Sequence, residues 1–338
     1  MKAIALAAVL SATSLLASAA RAQAPAGFYA GKTLEIYAGT SAGAGYDLYA
    51  RLLARHMGKH LPGAPQIVVK NMTGAGGVRL ANWLASAAPA DGTAIGTFSR
   101  GVAFDQLLKP KSVTVDGRRL NWIGSISDEV SVCVAWHTSG VSTFDDVFAR
   151  ELTVGATGAS GDTYIFAAVL NGVLNTKLKI VSGYPGGNEI SLALERGEVQ
   201  GRCGWSWSSL KAVQGKWVQD GQMKVLAQIA LDKHPDLPNV PLALDYAKSP
   251  EQRDALSLVF ARQAMAWPYA APPATPPERL RELRAAFDAA LTDPALLAEA
   301  NKSNFEVRPV GGAQIEALLK RTYAVAPEVV ARAAASLK

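Results

Sequence analysis

Apolar and polar positions follow a repeating order of strand, turn and helix along most of the chain. Residues 33–39 form a short apolar run, and the segment after it places apolar residues at helical spacing. That helical face consists of Tyr49, Leu52, Leu53, Met57 and Leu61, beside a basic stripe of Arg51, Arg55 and Lys59. Further strands are predicted at 66–70, 94–99, 130–136, 152–155, 179–182 and 199–203. Strands separated by helices indicate an α/β protein with mainly parallel sheets.

The last quarter of the chain predicts helices rather than this alternation. Residues 270–277 read AAPPATPP, a proline-rich connector that cannot be helical. Helices are predicted at 278–291 and 294–302 and across 312–337.

The N-terminus has the parts of a secretory signal peptide. Lys2 precedes apolar stretches at 3–12 and 15–20, and the segment ends in an Ala-Arg-Ala sequence at 20–22. A membrane anchor is the alternative, but serines and a threonine interrupt a run shorter than the roughly 20 residues that a span needs. We therefore expect residues 1–22 to be a signal peptide, cleaved during export to the periplasm. Its removal takes two positive charges and no acid from a formal net charge of +6, which leaves +4.

Composition narrows the function classes. The chain is 49% apolar and 18% charged over 338 residues, which favours folded domains over disorder. Two cysteines and four histidines are too few for zinc modules or ferredoxins, and no cluster of lysine and arginine indicates a nucleic-acid groove. We expect no cofactor and no bound metal. Cys133 and Cys203 lie in predicted strands of an exported protein, so a disulfide and two buried free thiols both stay open.

Three motifs suggest chemistry, but each has a stronger structural interpretation. Residues 39–43 read GTSAG and match a serine-hydrolase elbow, yet no earlier strand and no convincing Asp–His pair accompany them. The loops at 43–45 and 74–77 complete neither a dinucleotide fingerprint nor a P-loop. His56 and His60, four apart on a helix, lack the further ligands of a zincin and are interpreted as solvated. A periplasmic serine hydrolase acting through Ser41 stays as a minor alternative.

Gly-, Ser- and Thr-rich turns between strands and helices carry the main functional signal. A helix N-terminus presents unpaired N–H groups and a partial positive charge, so it can bind an anion without lysine or arginine. In open α/β sheets such turns gather at the carboxyl ends of the strands. Five candidate turns lie at 40–47, 99–101, 157–163, 184–188 and 206–209. Together they predict a carboxylate clamp.

The order of short motifs resembles one family over essentially the whole mature chain. The motifs read TSAGAGYD at 40–47, VKNMTGAGG at 69–77, APADGT at 88–93, GYPGG at 183–187 and PDLPNVP at 235–241. This series is similar to the periplasmic solute receptors of tripartite tricarboxylate transporters, the Bug-type family. The resemblance implies a non-enzymatic receptor that captures a small organic carboxylate and delivers it to the membrane subunits of such a transporter.

The resemblance also implies a Venus-flytrap architecture. Two α/β lobes, each a mainly parallel sheet flanked by helices, are expected to be joined by crossing hinge strands. Lobe 1 comprises 23–127 and 260–338, and lobe 2 comprises 128–259, with crossings near 127–128 and 259–267. We expect a monomer without nucleic-acid partners. A sensory receptor that signals to a membrane kinase would use the same cleft and is the alternative function.

The family's loops place the expected ligand-binding residues on both lobes. Asp47 is expected to orient its loop or an ordered water, because a bare carboxylate would repel an anionic ligand. In lobe 1 the expected residues are Thr40, Ser41, Ala42, Gly43, Ala44, Tyr46, Asp47, Ser99 and Arg100. In lobe 2 they are Thr157, Gly158, Ala159, Ser160, Asp162, Tyr184, Trp205 and Ser208.

Several positions depart from the family's pattern. Residues 41–44 read SAGA where the family has PPGG, and Tyr164 stands where histidine is common. Trp205 and Trp207 either narrow the cleft, stack on a planar ligand or pack in the core. Arg100 is a candidate partner for a second carboxylate. Because of these departures, no particular substrate carries over from the family.

Overall fold

Strands and helices alternate through most of the described chain. The computed structural model describes residues 27–109 and 115–337, so the predicted signal peptide lies outside the described residues. The strands are β1 (Thr33–Ala38), β2 (Gln66–Asn71), β3 (Ala94–Thr97), β4 (Asn121–Ser125), β5 (Ser131–Trp136), β6 (Leu152–Ala156), β7 (Leu178–Ser182), β8 (Gly201–Ser206), β9 (Met223–Ile229), β10 (Pro268–Ala271) and β11 (Val310–Gly311). The helices are α1 (Gly45–Met57), α2 (Val78–Ser86), α3 (Val102–Leu108), α4 (Asp146–Ala149), α5 (Asp162–Val169), α6 (Gly187–Glu195), α7 (Trp207–Gln219), α8 (Pro250–Phe260), α9 (Pro277–Leu291), α10 (Pro294–Lys302), α11 (Gly312–Tyr323) and α12 (Pro327–Ala335).

The strands form two sheets. Sheet 1 has the order β11-β4-β10-β3-β1-β2, and sheet 2 has the order β7-β6-β8-β5-β9. In sheet 1 the pairs of β1 with β2 and β3 are parallel, whereas β10 and β11 pair antiparallel. In sheet 2 the pairs of β6 with β7 and β8 are parallel, whereas β5 is antiparallel to β8 and β9. The two helix-flanked lobes are confirmed, but the expectation of mainly parallel sheets is wrong because both sheets are mixed.

The sequence pattern does not reveal the orientation of the antiparallel strands, and the reason is physical. A parallel pair needs a crossover, usually a helix, and this strand–turn–helix unit is visible in the apolar periodicity. The strands β4 and β5 belong to different sheets and are joined through residues 126–130 without a helix. A strand that enters a sheet in this way shows the same short apolar run in either direction, so periodicity cannot reveal its orientation.

Two chain segments run side by side between the sheets. Ala266 N donates to Ser127 O at 2.9 Å, and Glu129 N donates to Gln263 O at 3.0 Å. These segments coincide with the crossings expected near 127–128 and 259–267. The C-terminal helix α12 packs against α8, and a side chain at Gly172 would come within 2.5 Å of Ser336 Cα. The end of the chain therefore contacts helices expected in lobe 2, and the lobe boundaries stay a prediction.

The cysteines lie on neighbouring strands of sheet 2. Cys133 on β5 is directly opposite Cys203 on β8, and their sulfur atoms are joined in a disulfide. Both residues are fully buried, so the bridge lies inside the sheet. Of the two states that the residues leave open, this structure contains the bonded one.

The helices of the described chain have the lengths of globular elements. Within residues 27–109 and 115–337, no helix combines the length and the apolar character that a membrane crossing requires.

Candidate functional site

A cleft lies where the loops at the carboxyl ends of the parallel strands face each other. The loops that follow β1 and β3 come from sheet 1, and those that follow β6, β7 and β8 come from sheet 2. The cleft encloses about 750 Å³, counted to its open mouth. Its position agrees with the rule that open α/β sheets bind ligands at the carboxyl ends of their strands.

The structure brings about half of the expected ligand-binding residues to the cleft wall. Those that line it are Thr40, Ala44, Tyr46, Ser99, Arg100, Thr157, Asp162 and Trp205. Those that do not line it are Ser41, Ala42, Gly43, Asp47, Gly158, Ala159, Ser160, Tyr184 and Ser208. The contacts of five residues that do not line the cleft show what they bond to instead: Ser41, Ala42, Gly43, Asp47 and Ser208.

Asp47 holds the first loop from behind the cleft wall. Its buried carboxylate accepts hydrogen bonds from Gly43 N at 2.7 Å and from Arg51 Nε at 2.8 Å. Its other oxygen accepts from Arg51 Nη2 and Asn71 Nδ2, both at 2.9 Å. Burial raises its pKa, but the hydrogen bonds outweigh burial and leave the pKa of Asp47 below its ordinary value. Asp47 therefore bonds to the loop through Gly43, and its expected role in orienting the loop stays a prediction.

Ser41 and Ala42 contact the opposite lobe rather than the cleft. Ser41 Oγ donates to Glu189 Oε2 at 2.9 Å, and Asn188 Nδ2 donates to Ala42 O at 3.0 Å. Among the described residues, the hydrogen-bond partner of the Ser41 hydroxyl is thus a carboxylate, and no histidine bonds to it. The geometry does not form the nucleophile–base pair that a serine hydrolase needs.

Four helices begin at the cleft. Gly45 of α1, Asp162 of α5, Gly187 of α6 and Ser209 of α7 line its wall. Among the described residues, those that precede these helices make no side-chain capping hydrogen bond: Ala44, Gly161, Gly186 and Ser206. By contrast, Ser249 and Asp293 cap α8 and α10, which begin away from the cleft. In the first turns of α1, α5 and α6 the N–H groups have no intrahelical partners, so donors from both sheets converge on one space. In α7, Trp207 N donates to Val130 O at 2.9 Å and Ser208 N to Glu129 Oε1 at 3.5 Å, which leaves Ser209 N at that helix start.

Arg100 is paired within the protein. It is 1% exposed, and its Nε donates to Asp162 Oδ2 across the two lobes. Its Nη2 donates to Ser131 Oγ at 3.1 Å and to Ser206 Oγ at 3.2 Å. Asp162 therefore already pairs with Arg100, but among the described residues Nη1 of Arg100 is left without a hydrogen-bond partner, so the pairing of Arg100 with a second ligand carboxylate stays a prediction.

Arg202 also lines the cleft, although it is not among the residues expected from the sequence. Its side chain is 8% exposed and stacks on the Trp205 ring, with Cζ 4.2 Å from the ring centroid. Nη1 donates to Gly187 O at 3.3 Å, while Nε has no hydrogen-bond partner among the described residues. Burial lowers the pKa of Arg202 to about 9, and no acidic group in the described part of the chain opposes that shift. An arginine inside a buried strand is the signal that the sequence offered.

Trp207 and Ser208 serve the structure behind the cleft. Trp207 packs in an apolar cluster of sheet 2, and its Nε1 donates to Asp236 Oδ2 at 3.1 Å. Ser208 Oγ donates to the buried Glu129, whose other oxygen accepts from Val130 N at 3.0 Å. Burial raises the pKa of Glu129 to about 7, although the Ser208 hydrogen bond opposes this. Of the two tryptophans, only Trp205 reaches the cleft.

One cluster of histidine and acidic side chains outside the cleft has the residue types of a metal site. Within the described residues, atoms of His234, Asp236 and Glu306 lie within 4.8 Å of one another. Lys211 Nζ lies 2.6 Å from Asp236 Oδ2 and 2.8 Å from Glu306 Oε1. The ammonium group already supplies the positive charge that these carboxylates need, so this cluster is a salt-bridge network. His56 and His60 bond to Glu299 and Asp293.

Comparisons with known proteins agree with this arrangement. The sequence model of the tripartite tricarboxylate transporter family receptor matches residues 49–331. The structure of the periplasmic binding protein BugD superposes with a TM-score of 0.73 at 20% identity, covering 89% of this chain and 97% of that one. The malate-bound MatC of Rhodopseudomonas palustris gives 0.70 at 21%, covering 88% and 98%. Another protein of that organism, determined with adipate, gives 0.70 at 17%, covering 89% and 97%.

These structural similarities lie below 25% identity and establish the two-lobed fold. No curated protein matches the sequence at a significant level. The family model is the more specific finding, because it spans more than four fifths of the chain and includes segments of both sheets. The chain belongs to the family of tripartite tricarboxylate transporter receptors, as the order of its motifs indicated.

Proposed function

We propose that this protein is an exported, non-enzymatic receptor that binds a small organic carboxylate between its lobes and delivers it to a tripartite tricarboxylate transporter. One observation carries the proposal: helix N-termini from both sheets meet at a single cleft, and those of α1, α5 and α6 have no side-chain cap from the residue before them. A ligand that accepts hydrogen bonds from helix starts of both lobes is held only when the lobes are together. Binding and lobe closure are then the same event, which is what a transport receptor needs.

The donors contribute a substantial part of the affinity. A hydrogen bond from a backbone N–H to an ionised carboxylate contributes about 1.5 to 3 kcal/mol. Four such bonds give roughly 6 to 12 kcal/mol, and the loss of translational and rotational freedom on binding offsets about 4 kcal/mol or more of this gain. Micromolar binding requires about 8 kcal/mol, so we expect apolar contacts with the cleft wall to contribute as well.

The family supports the partner and the compartment. Its receptors serve tripartite transporters, and similar structures include a malate-bound MatC and a protein determined with adipate. The basic and apolar N-terminal segment at 1–22 supports export. We assign the protein to the periplasm on these grounds.

Calorimetric titration of residues 23–338 with a library of mono-, di- and tricarboxylates tests the proposal. We expect at least one member to bind with micromolar or tighter affinity. Ser209 lines the cleft at the third position of α7 and is 6% exposed. Ser209→Asp places a negative charge in the cleft and should abolish binding, whereas the matched neutral variant Ser209→Asn should retain most of it.

Two results would contradict the proposal. Absence of binding across the library would remove the carboxylate ligand. Equal loss of affinity in Ser209→Asp and Ser209→Asn would show that the charge of the ligand is not what the cleft recognises. Both variants need melting temperatures close to that of the unsubstituted protein for this comparison.

A further inference from the structure

The charges on the cleft wall do not cancel. The ionisable arginine and acidic side chains that line it are Arg100, Asp162 and Arg202. Arg100 and Asp162 form a buried ion pair, and Nη1 of Arg262, which lies behind the wall, is 3.7 Å from the other oxygen of Asp162. Arg202 has no such partner: within the part of the chain that the structure describes, burial alone shifts its pKa. The wall therefore holds one positive charge in excess.

The position of Arg202 increases the cost of leaving it unpaired. A side chain at Gly187, the first residue of α6, would lie 2.9 Å from Arg202 Nη2, so the guanidinium rests against the start of a helix. A helix N-terminus carries a partial positive charge and repels a cation. A buried cation beside a like-signed helix end is unfavourable unless an anion joins them.

Acidic side chains already compensate most of the other helix ends. Asp47, Asp162 and Glu189 lie in the first turns of α1, α5 and α6, whereas α7 has no acid there. Asp47 bonds to Arg51, Asp162 to Arg100, and Glu189 accepts from the hydroxyl of Ser41. None of the three therefore pairs with Arg202. Glu129 accepts from Ser208 N at the start of α7, so among the described residues of the cleft wall Arg202 is the positive group without an acidic partner.

The rest of the wall offers apolar surface. Trp205 lies under the Arg202 guanidinium, and Tyr46, Val213 and Trp267 also line the cleft. Tyr46 and Trp267 contact each other edge to face, with ring centroids 4.9 Å apart. A second carboxylate placed near α5 would meet Asp162, whose carboxylate lies between Arg100 and Arg262 and already engages both guanidinium groups.

We infer that the ligand is a singly charged carboxylate with an apolar body, whose carboxylate is bound by Arg202. This inference rests on the proposed function and narrows it. It separates this receptor from the relatives named above, because malate and adipate are dicarboxylates. Arg202 is thereby a specificity-determining residue that backbone-only recognition would not need.

Calorimetry with chain-matched probes tests the inference on residues 23–338. The pairs are pentanoate with glutarate and benzoate with terephthalate, in which each second member adds one carboxylate. We expect the tighter-binding monocarboxylate to bind with an affinity at least 10-fold higher than that of its dicarboxylate partner. Arg202→Met should weaken it about 10- to 100-fold, and Arg202→Lys should retain part of the affinity. Arg196→Met, at an exposed arginine, is the control and should bind normally.

The outcomes separate this inference from the proposed function. A dicarboxylate that binds as tightly as its partner, or a folded Arg202→Met variant with unchanged affinity, would overturn the inference and leave carboxylate binding intact. The ratio between paired probes on the unsubstituted protein decides the matter even if Arg202→Met fails to fold. If no carboxylate binds the unsubstituted protein, the proposed function is wrong and the inference falls with it.

Discussion

Replacing Asp47 by asparagine should destabilise the first loop and with it the cleft. The carboxylate accepts four hydrogen bonds, two on each oxygen, from Gly43, Arg51 and Asn71. In Asp47→Asn one oxygen becomes an amide NH2 group, so a donor faces donors and two bonds are lost. Each bond to a charged acceptor contributes about 1.5 to 3 kcal/mol. Because the Arg51 side chain is 42% exposed and is rehydrated, we discount its share and expect a total loss of about 2 to 4 kcal/mol.

Chemical denaturation measures this loss, and calorimetry with the best carboxylate measures the effect on binding. Asp220→Asn removes an exposed acid at the end of α7 and serves as the control, with an expected change within about 0.5 kcal/mol. Binding should weaken in Asp47→Asn, because the loop that presents the start of α1 loses its anchor. An Asp47→Asn protein as stable as the Asp220→Asn control would refute the assigned role.

The dependence on pH gives a second check on Asp47. Its pKa is lowered in the folded protein, so its stabilisation is present above the ordinary value of 3.8 and is lost as pH falls through the folded value. The difference in unfolding free energy between the unsubstituted protein and Asp47→Asn should therefore shrink as pH falls below about 4. A difference that stays constant to pH 2 would mean that the charge of Asp47 contributes nothing.

Three further predictions concern other buried features. Because the pKa of Glu129 is raised to about 7, the free energy of unfolding should fall by up to about 3 kcal/mol as pH rises from about 4.5 to 7. Glu129→Gln should remove this pH-dependent loss. A Glu129→Gln protein with the same pH profile as the unsubstituted protein would contradict the prediction. Cys133 and Cys203 should give no free thiol in the denatured, unreduced protein, and two titratable thiols would show that the bridge does not form. Gly76→Ala should weaken ligand binding at least about 5-fold, because the new methyl group would lie 2.4 Å from Gly161 N across the cleft. The backbone φ of +66° at this position also disfavours alanine. Unchanged affinity in calorimetry would exclude this close approach.

The fold was largely readable from the sequence because its parallel units repeat one local pattern. The run at 33–39, the Gly-rich turn and the helical face around Leu53 appear together as β1 and α1. The sequence pattern did not reveal strands such as β4 and β10, since β4 leads into the other sheet and β10 shares residues 270–271 with the proline-rich connector. Their pairing depends on residues far apart in the chain, which local periodicity does not contain.

The cleft was predictable in position but not in its side chains. Gly-rich turns after strands indicate where helix N-termini meet, and this requires only local sequence. The pairing of Arg100 with Asp162 joins residues 62 positions apart, and it decides which arginine is left for a ligand. Arg202 looked like one polar position in a short strand, and its lack of a carboxylate partner is visible only once both sheets are in place.

The central claim is that backbone N–H groups at helix starts in both lobes bind one carboxylate. The most direct measurement is a ¹H–¹⁵N NMR titration of residues 23–338 with the tightest carboxylate found by calorimetry. We predict that the amide signals of Tyr46, Thr163, Asn188 and Ser209 shift together, with one dissociation constant that equals the calorimetric value. Shifts confined to one lobe, or to amides away from the starts of α1, α5, α6 and α7, would contradict the claim.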